Sequence, residues 1–212
     1  FDEILEYADH IVFNSLSELE RYGERAKAAG KSVGLRLNPE CSTQDGHEIY
    51  DPCAPGSRLG TRLDEFASLS PEKFRKLCGM LDGIHFHTLC EQDSDALETT
   101  LDAVESRFGF LFDLPGLRWI NFGGGHHITR DGYDIPRLER CIERMRKRGL
   151  EVYLEPGEAV ALNAGVLIST VLDIRPADRT GIPTAIIDAS AACHMPDVIE
   201  MPYRPPLDGA SD

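Results

Sequence analysis

The sequence predicts an α/β fold built on a parallel sheet, followed by a segment that is richer in β-strand. Short apolar, β-branched runs alternate five times with amphipathic runs in the first 160 residues, and most of the connections are short. This alternation is typical of right-handed β-α units that form a parallel sheet or barrel. After residue 160 the helical periodicity ends and two β-rich runs follow, which predicts a second, antiparallel unit.

The first predicted elements surround one well-marked helix. Residues 1–9 have the pattern of the end of a helix, and the next helix begins at Ser15 or Ser17 and ends at Ala29. Each serine has a glutamate three residues later, as in a capping box, and Gly30 follows the helix end. The apolar runs that flank this helix predict strands over His10–Ser15 and Ser32–Asn38.

A long irregular segment separates these elements from the rest. Residues 39–69 lack a periodic pattern, and loops of this length within a compact domain are usually functional or mobile. Ser70 followed by Pro71 marks the next helix start. The later predicted strands are Gly83–His87, Leu117–Phe122 and Glu151–Glu155, and the later helices are Ser94–Phe108 and Asp134–Arg148. The two β-rich runs are Gly165–Ile174 and Thr184–Asp188, and the proline-rich stretch Met195–Pro206 is predicted to be irregular.

Charge and cysteine usage narrow the class of protein. The formal net charge of −14 at pH 7 argues against nucleic acid as a partner, since its phosphates would be repelled. The charge suits a small cationic substrate, although solubility alone is a sufficient reason for it. The six cysteines form no Cys-x-x-Cys pair, which is typical of a reduced, cytoplasmic protein. The sequence has no signal-peptide pattern and no apolar run of transmembrane length, so no membrane partner is expected.

The functional prediction is organised around Trp119–His127, where an apolar strand runs into three consecutive glycines, Gly123, Gly124 and Gly125. Three glycines in a row are tolerated where the backbone takes up positive φ or comes very close to another group. A strand, a glycine loop and a following helix present backbone N–H groups to phosphate in many α/β proteins. The pattern therefore predicts a phosphate-binding loop.

Two other predicted strand ends carry polar side chains that would share this pocket, because active residues of parallel barrels lie at the C-terminal ends of strands. His85 and His87 are two residues apart and so lie on one face. They could bind a metal, as in amidohydrolase-type barrels, stack on a flat ligand, or be interior histidines. Glu155, followed by Pro156 and Gly157, could face a ring nitrogen or be an ordinary ion-pair carboxylate. Together with the glycine loop, the set favours pyridoxal 5′-phosphate (PLP).

Five motifs carry a family resemblance that covers nearly the whole chain: GLRLNP, SRLG, HFH, NFGGG and EPGE. With these motifs the chain resembles the fold-type III PLP-dependent decarboxylases. These are alanine racemase-like barrels that act on ornithine, arginine, diaminopimelate and carboxynorspermidine.

Three departures narrow the resemblance to the carboxynorspermidine (carboxyspermidine) decarboxylase branch. Ornithine and diaminopimelate decarboxylases typically read Glu-Pro-Gly-Arg at the last motif, where this chain has Glu158 in place of the arginine. They tend to read His-x-Gly-Ser after the ring-stacking histidine, where this chain has Thr88-Leu89-Cys90. Diaminopimelate decarboxylases read approximately Met-Asn-Asp-Leu-Ile-Arg in the region of Met195–Glu200. This chain has Glu200 where that pattern has its arginine. An acidic residue at this position suits the cationic tail of a polyamine.

The resemblance implies a role for each matching residue. As catalytic residues, His87 would stack on the pyridine ring and Glu155 would face its nitrogen, while Arg36 would orient Glu155. The phosphate would be bound by Gly123, Gly124, Gly125 and Gly157. The substrate-binding candidates are Glu91, Glu158, His194, Asp197 and Glu200, and the three glutamates would face the cationic amines. The histidines His126 and His127 are further candidates for the pocket lining, without an assigned role, and no metal is expected.

The implied function is PLP-dependent decarboxylation of carboxynorspermidine and carboxyspermidine to norspermidine and spermidine, in polyamine biosynthesis, by a cytoplasmic homodimer. Residues 1–162 would be part of the PLP-binding barrel, about five β/α units of a (β/α)8 TIM-type fold. Residues 163–212 would be the truncated start of a C-terminal β domain. The alternatives are a diaminopimelate or ornithine-type decarboxylase of the same fold, a metal-dependent hydrolase that uses the His-x-His pair, and a non-catalytic homologue.

Chemistry with this cofactor needs a lysine that forms a Schiff base, and the resembled family carries it on the first barrel strand. None of the five lysines lies at a predicted strand end; they are Lys27, Lys31, Lys73, Lys76 and Lys147. We therefore expect an interior fragment that carries most of the cofactor cradle but no Schiff-base lysine. By itself it is expected to be inactive and poorly stable, with an unclosed sheet edge.

Overall fold

The computed structural model describes residues 1–44, 51–200 and 202–209. These residues divide into two compact units, Phe1–Leu162 and Asn163–Asp212. None of the helices within the described ranges has both the length and the apolar character that a membrane span needs.

The first unit is built on a five-stranded sheet whose strands lie in chain order and run parallel throughout. The strands are β1 (His10–Phe13), β2 (Ser32–Arg36), β3 (Gly83–His85), β4 (Trp119–Asn121) and β5 (Glu151–Tyr153). The predicted alternation is therefore confirmed, but each strand ends earlier than its apolar run. Beyond β3, for example, Phe86 N–H still donates to the Asn121 carbonyl at 3.0 Å, and the chain then leaves the ladder.

Within its described residues the first unit contains seven α-helices. They are α1 (Asp2–Tyr7), α2 (Leu16–Ala28), α3 (Leu63–Ala67), α4 (Pro71–Cys78), α5 (Ser94–Phe108), α6 (Ile135–Arg146) and α7 (Gly157–Ala161), and a 3-10 turn, Gly109–Leu111, follows α5. The side chains of Ser15, Ser70 and Asp134 each accept a hydrogen bond from the backbone N–H three residues later, which satisfies an otherwise unpaired donor of the first turn.

Two short helices were not predicted. Helix α3 lies in the segment 39–69 that was predicted to be irregular, of which residues 45–50 are outside the described residues. Helix α7 follows the Glu-Pro-Gly motif directly. Conversely, the glycine loop does not run straight into a helix as expected, because α6 begins only at Ile135. Five-residue helices leave little periodic signal in a sequence.

The two faces of the sheet differ in chemistry because side chains alternate along each strand. One face carries the fully buried Val33, Leu35, Ile84 and Ile120, which belong to the core. The other face is polar near the C-terminal ends of the strands. Near their N-terminal ends this face carries the indole of Trp119. One face of the sheet therefore packs against the helices, and the other face carries the candidate site.

Trp119 lies flat across two glycines of the neighbouring strands. A Cβ atom at Gly83 would lie 2.0 Å from indole Cδ2, and one at Gly34 would lie 2.3 Å from Cη2. Indole Nε1 donates to Ser32 Oγ at 2.8 Å. Real Cβ atoms do not approach so closely, so both glycines are required by this contact.

The second unit contains an antiparallel pair of strands, β6 (Val171–Arg175) and β7 (Thr184–Ile187), with a register shift between Val171 and Asp173. Every residue of both strands is exposed. Two short helices follow, α8 (Ala191–His194) and α9 (Asp197–Glu200). The prediction of an irregular stretch over Met195–Pro206 is wrong at α9, because Pro196 precedes the helix and the other prolines follow it.

Candidate active site

The polar residues predicted at the strand ends lie side by side at the C-terminal edge of the sheet. In the ladder Arg36 is paired with His85, His85 with Asn121, and Asn121 with Tyr153. Glu155 lies two residues beyond Tyr153 on the same side of its strand. The sheet thus brings together residues from four elements that are far apart in sequence.

Glu155 is held on one side and open on the other. Asn121 Nδ2 donates to its Oε1 at 2.8 Å, and its backbone N–H donates to the Gly123 carbonyl at 2.8 Å. The side chain is 51% exposed, and within the described part of the chain no hydrogen bond to Oε2 is found. One carboxylate oxygen is therefore fixed while the other is available to a ligand.

Asn121, rather than Arg36, makes the direct contact with Glu155. Arg36 was predicted to orient this carboxylate, but its Nη2 donates to the His87 carbonyl at 3.4 Å, and within the described residues no ion pair joins it to Glu155. Burial lowers the pKa of Arg36, while the nearby Cys53 and Glu155 act in the opposite direction. Sequence reasoning missed Asn121, although its position two residues before the first glycine was a usable signal.

The two histidines of the His-x-His motif line the same face and are held neutral. His85 is buried and His87 is half-buried. Burial lowers the pKa of His85 to about 4, and the charge of Arg36 acts in the same direction, while Glu155 opposes it. Burial and Arg36 also lower the pKa of His87. At neutral pH both rings therefore face the site uncharged.

The glycine loop is packed closely against the β3–α5 connection. Gly123 and Gly125 have φ of 70° and 79°, and a Cβ atom at Gly125 would lie 2.0 Å from the Leu89 carbonyl oxygen. A Cβ at Gly124 would lie 3.2 Å from His87 Cε1, so the imidazole ring lies beside the loop. These contacts explain the three glycines independently of any ligand.

The same loop has unused hydrogen-bond donors. The Gly123 N–H donates to Asn121 Oδ1 at 2.8 Å, and the Gly157 N–H donates to the Glu155 carbonyl at 2.8 Å. In the described part of the chain, the N–H groups of Gly124 and Gly125 make no hydrogen bond. These two are therefore the donors best placed for an anion, while Gly157 offers only open space.

A second cluster lies at the other end of this loop and contains Glu91, His127 and Glu158. One ligand atom from each lies within 4.8 Å of the other two, and His127 Nε2 lies 3.6 Å from Glu158 Oε1. Both ring nitrogens of His127 are buried and have no hydrogen-bond partner among the described residues, whereas both carboxylates are exposed. Two carboxylates and an imidazole form a site for a cation.

Gln92 fixes the geometry of that cluster. Its backbone N–H donates to the Gly125 carbonyl at 2.9 Å and its carbonyl accepts from the His127 N–H at 3.1 Å. Its side chain is held by Thr43 and Gln44. The preceding Glu91 has φ of 53°, a conformation that is uncommon for residues other than glycine. Sequence reasoning gave His127 no role because this loop pairing leaves no periodic signal.

Comparisons with known proteins were made on the sequence and on the fold. No protein-family model matches the sequence. A carboxynorspermidine/carboxyspermidine decarboxylase of Campylobacter jejuni is 42% identical over 95% of this chain and 49% of its own length. A carboxyaminopropylagmatine decarboxylase of Synechocystis is 40% identical over 98% of this chain and 51% of its own length. The crystal structure of the C. jejuni carboxynorspermidine decarboxylase complexed with norspermidine has a TM-score of 0.77 at 40% identity, over 95% of this chain and 48% of that chain.

This chain is similar to the carboxynorspermidine/carboxyspermidine decarboxylases. The resemblance inferred from the motifs is confirmed. The chain spans about half the length of the curated relatives it matches. A diaminopimelate decarboxylase of Pseudomonas aeruginosa is 27% identical over 82% of this chain and 43% of its own length. A diaminopimelate decarboxylase structure with a TM-score of 0.68 at 20% identity, over 90% of this chain and 46% of that chain, shares the fold.

The site at the sheet edge has features that fit a flat, phosphorylated cofactor. Two unused backbone donors, at Gly124 and Gly125, suit a phosphate. The neutral His87 ring lies beside them, and an open carboxylate oxygen of Glu155 suits a protonated ring nitrogen. The buried Nδ1 of His85, which has no hydrogen-bond partner in the part of the chain that the structure describes, is a further polar atom at this site.

The remaining predicted residues belong to the second unit. His194 ends α8, and Asp197 and Glu200 bound α9; all three are exposed. Within the described residues, the group of three side chains close enough to share a metal ion is Glu91, His127 and Glu158, which does not include His85 or His87. The structure therefore does not bring a third ligand to the His-x-His pair that the hydrolase alternative would use.

Proposed function

We propose that the chain is part of a PLP-dependent carboxy-lyase that converts carboxynorspermidine and carboxyspermidine to norspermidine and spermidine, in polyamine biosynthesis. The observation that carries this proposal is 42% identity to a carboxynorspermidine/carboxyspermidine decarboxylase over 95% of the chain. The C. jejuni decarboxylase structure complexed with norspermidine, at 40% identity, supports a polyamine substrate.

PLP would be held by the edge of the sheet. Gly124 and Gly125 would donate their N–H groups to the phosphate, and Gly123 and Gly157 would let the backbone approach it. His87 would pack on the ring face, and Glu155 would keep the ring nitrogen protonated. The protonated ring supplies the electron sink that loss of the α-carboxylate requires. The residues of this chain would bind and orient the cofactor, and the Schiff-base lysine would lie outside this chain.

Glu91, His127 and Glu158 would bind the cationic end of the substrate. Two neighbouring carboxylates attract an ammonium group, and His127 adds ring nitrogens that have no hydrogen-bond partner among the described residues. Glu200, Asp197 and His194 are the substrate-binding candidates of the second unit. Glu158 in place of the arginine of diaminopimelate decarboxylases supports a cationic rather than a carboxylate-ended tail.

A larger assembly is part of the same proposal. Phe1–Leu162 would supply about five β/α units of an eight-stranded barrel, supported by the five-stranded parallel sheet, and residues 163–212 would begin a C-terminal β domain. A homodimer is the expected form of the full-length protein. The six free cysteines support a cytoplasmic location.

A second candidate is carboxyaminopropylagmatine, because the relative that bears this name is almost as similar, at 40% identity over 98% of the chain. This substrate ends in a guanidinium group, which two neighbouring carboxylates can bind with several hydrogen bonds. Diaminopimelate is disfavoured, since the relative that acts on it is 27% identical.

The test is CO₂ release by the full-length gene product with and without added PLP. Carboxynorspermidine, carboxyspermidine, carboxyaminopropylagmatine, meso-diaminopimelate and ornithine would be offered in parallel. The first proposal is supported if CO₂ release depends on PLP and kcat/KM is highest for carboxynorspermidine or carboxyspermidine. The second is supported if kcat/KM is highest for carboxyaminopropylagmatine. Preference for diaminopimelate or ornithine would contradict the argument from Glu158. Absence of release from all five would favour a non-catalytic homologue or a hydrolase.

A further inference from the structure

His85 is a buried titratable group at the sheet edge, and the proposed function assigns it no role. Its side chain is 9% exposed. Its Nδ1 atom is buried and has no hydrogen-bond partner among the described residues. Its Nε2 atom lies 3.7 Å from Oε1 of Glu155, just beyond hydrogen-bond distance.

The surroundings of His85 favour one of the two tautomers of its neutral imidazole ring. A neutral imidazole has one N–H donor and one acceptor. A proton on Nδ1 would be a buried donor without a partner, which is costly. A proton on Nε2 faces the carboxylate of Glu155 and leaves only a lone pair unpaired on Nδ1. The contact therefore favours the Nε2-protonated tautomer.

Asn121 cannot by itself fix the direction of the carboxylate. Its Nδ2 donates to Oε1 of Glu155, and its Oδ1 is already used by the Gly123 N–H. A single hydrogen bond leaves a half-exposed carboxylate free to rotate about it. A second donor to Oε1, from His85 on the strand next to that of Asn121, would stop that rotation. It would turn Oε2 towards the ring nitrogen of the cofactor.

We propose that His85 is a positioning residue that donates from Nε2 to Oε1 of Glu155 and, with Asn121, points the free oxygen of that carboxylate at the ring nitrogen of the cofactor. This inference rests on the proposed function. The charge state of His85 matters, because a protonated His85 would neutralise the negative charge of Glu155. The groups that face His85 are Arg36, His87 and Glu155, and burial beside Arg36 keeps it neutral at pH 7.

The test compares two variants of the full-length protein. In His85→Gln the side-chain amide can place a donor near the former Nε2 position, whereas His85→Leu fills the space without a donor. We expect His85→Leu to weaken PLP affinity, measured by cofactor fluorescence titration, and to lower kcat, each by about tenfold or more, with substrate KM unchanged. His85→Gln should retain both within about threefold. Equal losses in the two variants at matched Tm, or no loss in either, would overturn the proposal.

A second readout does not depend on activity. NMR of protein labelled with ¹³C and ¹⁵N in histidine reports which ring nitrogen of His85 carries the proton. We expect a neutral ring protonated at Nε2 at pH 7, and a changed Nε2 signal in Glu155→Gln. A proton on Nδ1, or a charged ring at pH 7, would overturn the inference even if the decarboxylase activity is found. If no substrate releases CO₂ but this tautomer is observed, the proposed function fails and the His85–Glu155 contact stands.

Discussion

At the scale of single residues, the site depends on how Glu155 is held. Asn121 uses both ends of its amide, one on the carboxylate and one on the glycine loop. A change at this position can therefore separate the two contacts. His85 and Tyr153 are the neighbours of Asn121 in the ladder.

We expect Asn121→Asp to lower kcat of the full-length protein by at least tenfold. The aspartate keeps an acceptor for the Gly123 N–H but removes the donor to Glu155 and adds a like charge beside it. Asn121→Ala loses both contacts and should show a further loss of PLP affinity. Steady-state kinetics and PLP titration on the two variants check this, and wild-type kcat in Asn121→Asp would contradict the role given to Asn121.

The cation cluster predicts a different kinetic signature. Glu91→Gln and Glu158→Gln should each raise KM for carboxynorspermidine by about fivefold to thirtyfold with little change in kcat, because each removes one charge from the site of the amine. Glu139→Gln, at an exposed position of α6, removes the same charge elsewhere and should leave KM unchanged. If both cluster variants and Glu200→Gln keep the wild-type KM, the assignment of the glutamates is wrong.

At the scale of elements, local signals predicted the helices and strands well. Ser15, Ser70 and Asp134 cap their helices as their side chains predict, and the five strands lie within their apolar runs. The failures are α3, α7, α8 and α9, which have four or five residues each. Elements this short are decided by tertiary contacts, which a sequence pattern does not record.

The same distinction applies to the site. The shared face of His85 and His87 follows from the period of a strand, so the sequence was sufficient to predict it. The contact of Asn121 with Glu155 and the approach of His127 to Glu158 depend on how two loops pair across the edge of the sheet. The positive φ of Glu91 has no local cause in the sequence.

The contact between strands β3 and β4 gives a test of packing. Gly83→Ala should lower the free energy of unfolding by about 2–3 kcal/mol, because the new methyl group would overlap the indole of Trp119. Gly109→Ala is the matched control, since Gly109 has helical φ and ψ and open space around it, and it should be neutral or slightly stabilising. Denaturant unfolding of both variants measures the difference. Equal effects would contradict the packing argument.

At the scale of the whole molecule, the five-stranded sheet has two terminal strands. Within the described residues β1 pairs only with β2, and β5 only with β4. An open parallel sheet exposes unpaired backbone groups at both edges. The chain also covers about half of its curated relatives.

None of the five lysines lies on a strand or at the C-terminal end of a strand. Lys27 pairs with Asp82 below the site, and Lys73 and Lys76 pair with glutamates of α2. We therefore expect residues 1–212 expressed alone to release no CO₂ from carboxynorspermidine, even with saturating PLP, while the full-length protein does. Turnover by the isolated segment would contradict this expectation.

The most direct test of the central claim is PLP-saturated CO₂ release from carboxynorspermidine by the full-length protein, compared with its Glu155→Gln variant. A glutamine cannot keep the ring nitrogen protonated, so we predict measurable release by the wild type and a loss of about a hundredfold or more in kcat for the variant. Tm and PLP content should show that the variant is folded and loaded. Equal rates for the two proteins, or no release by the loaded wild type, would contradict the claim.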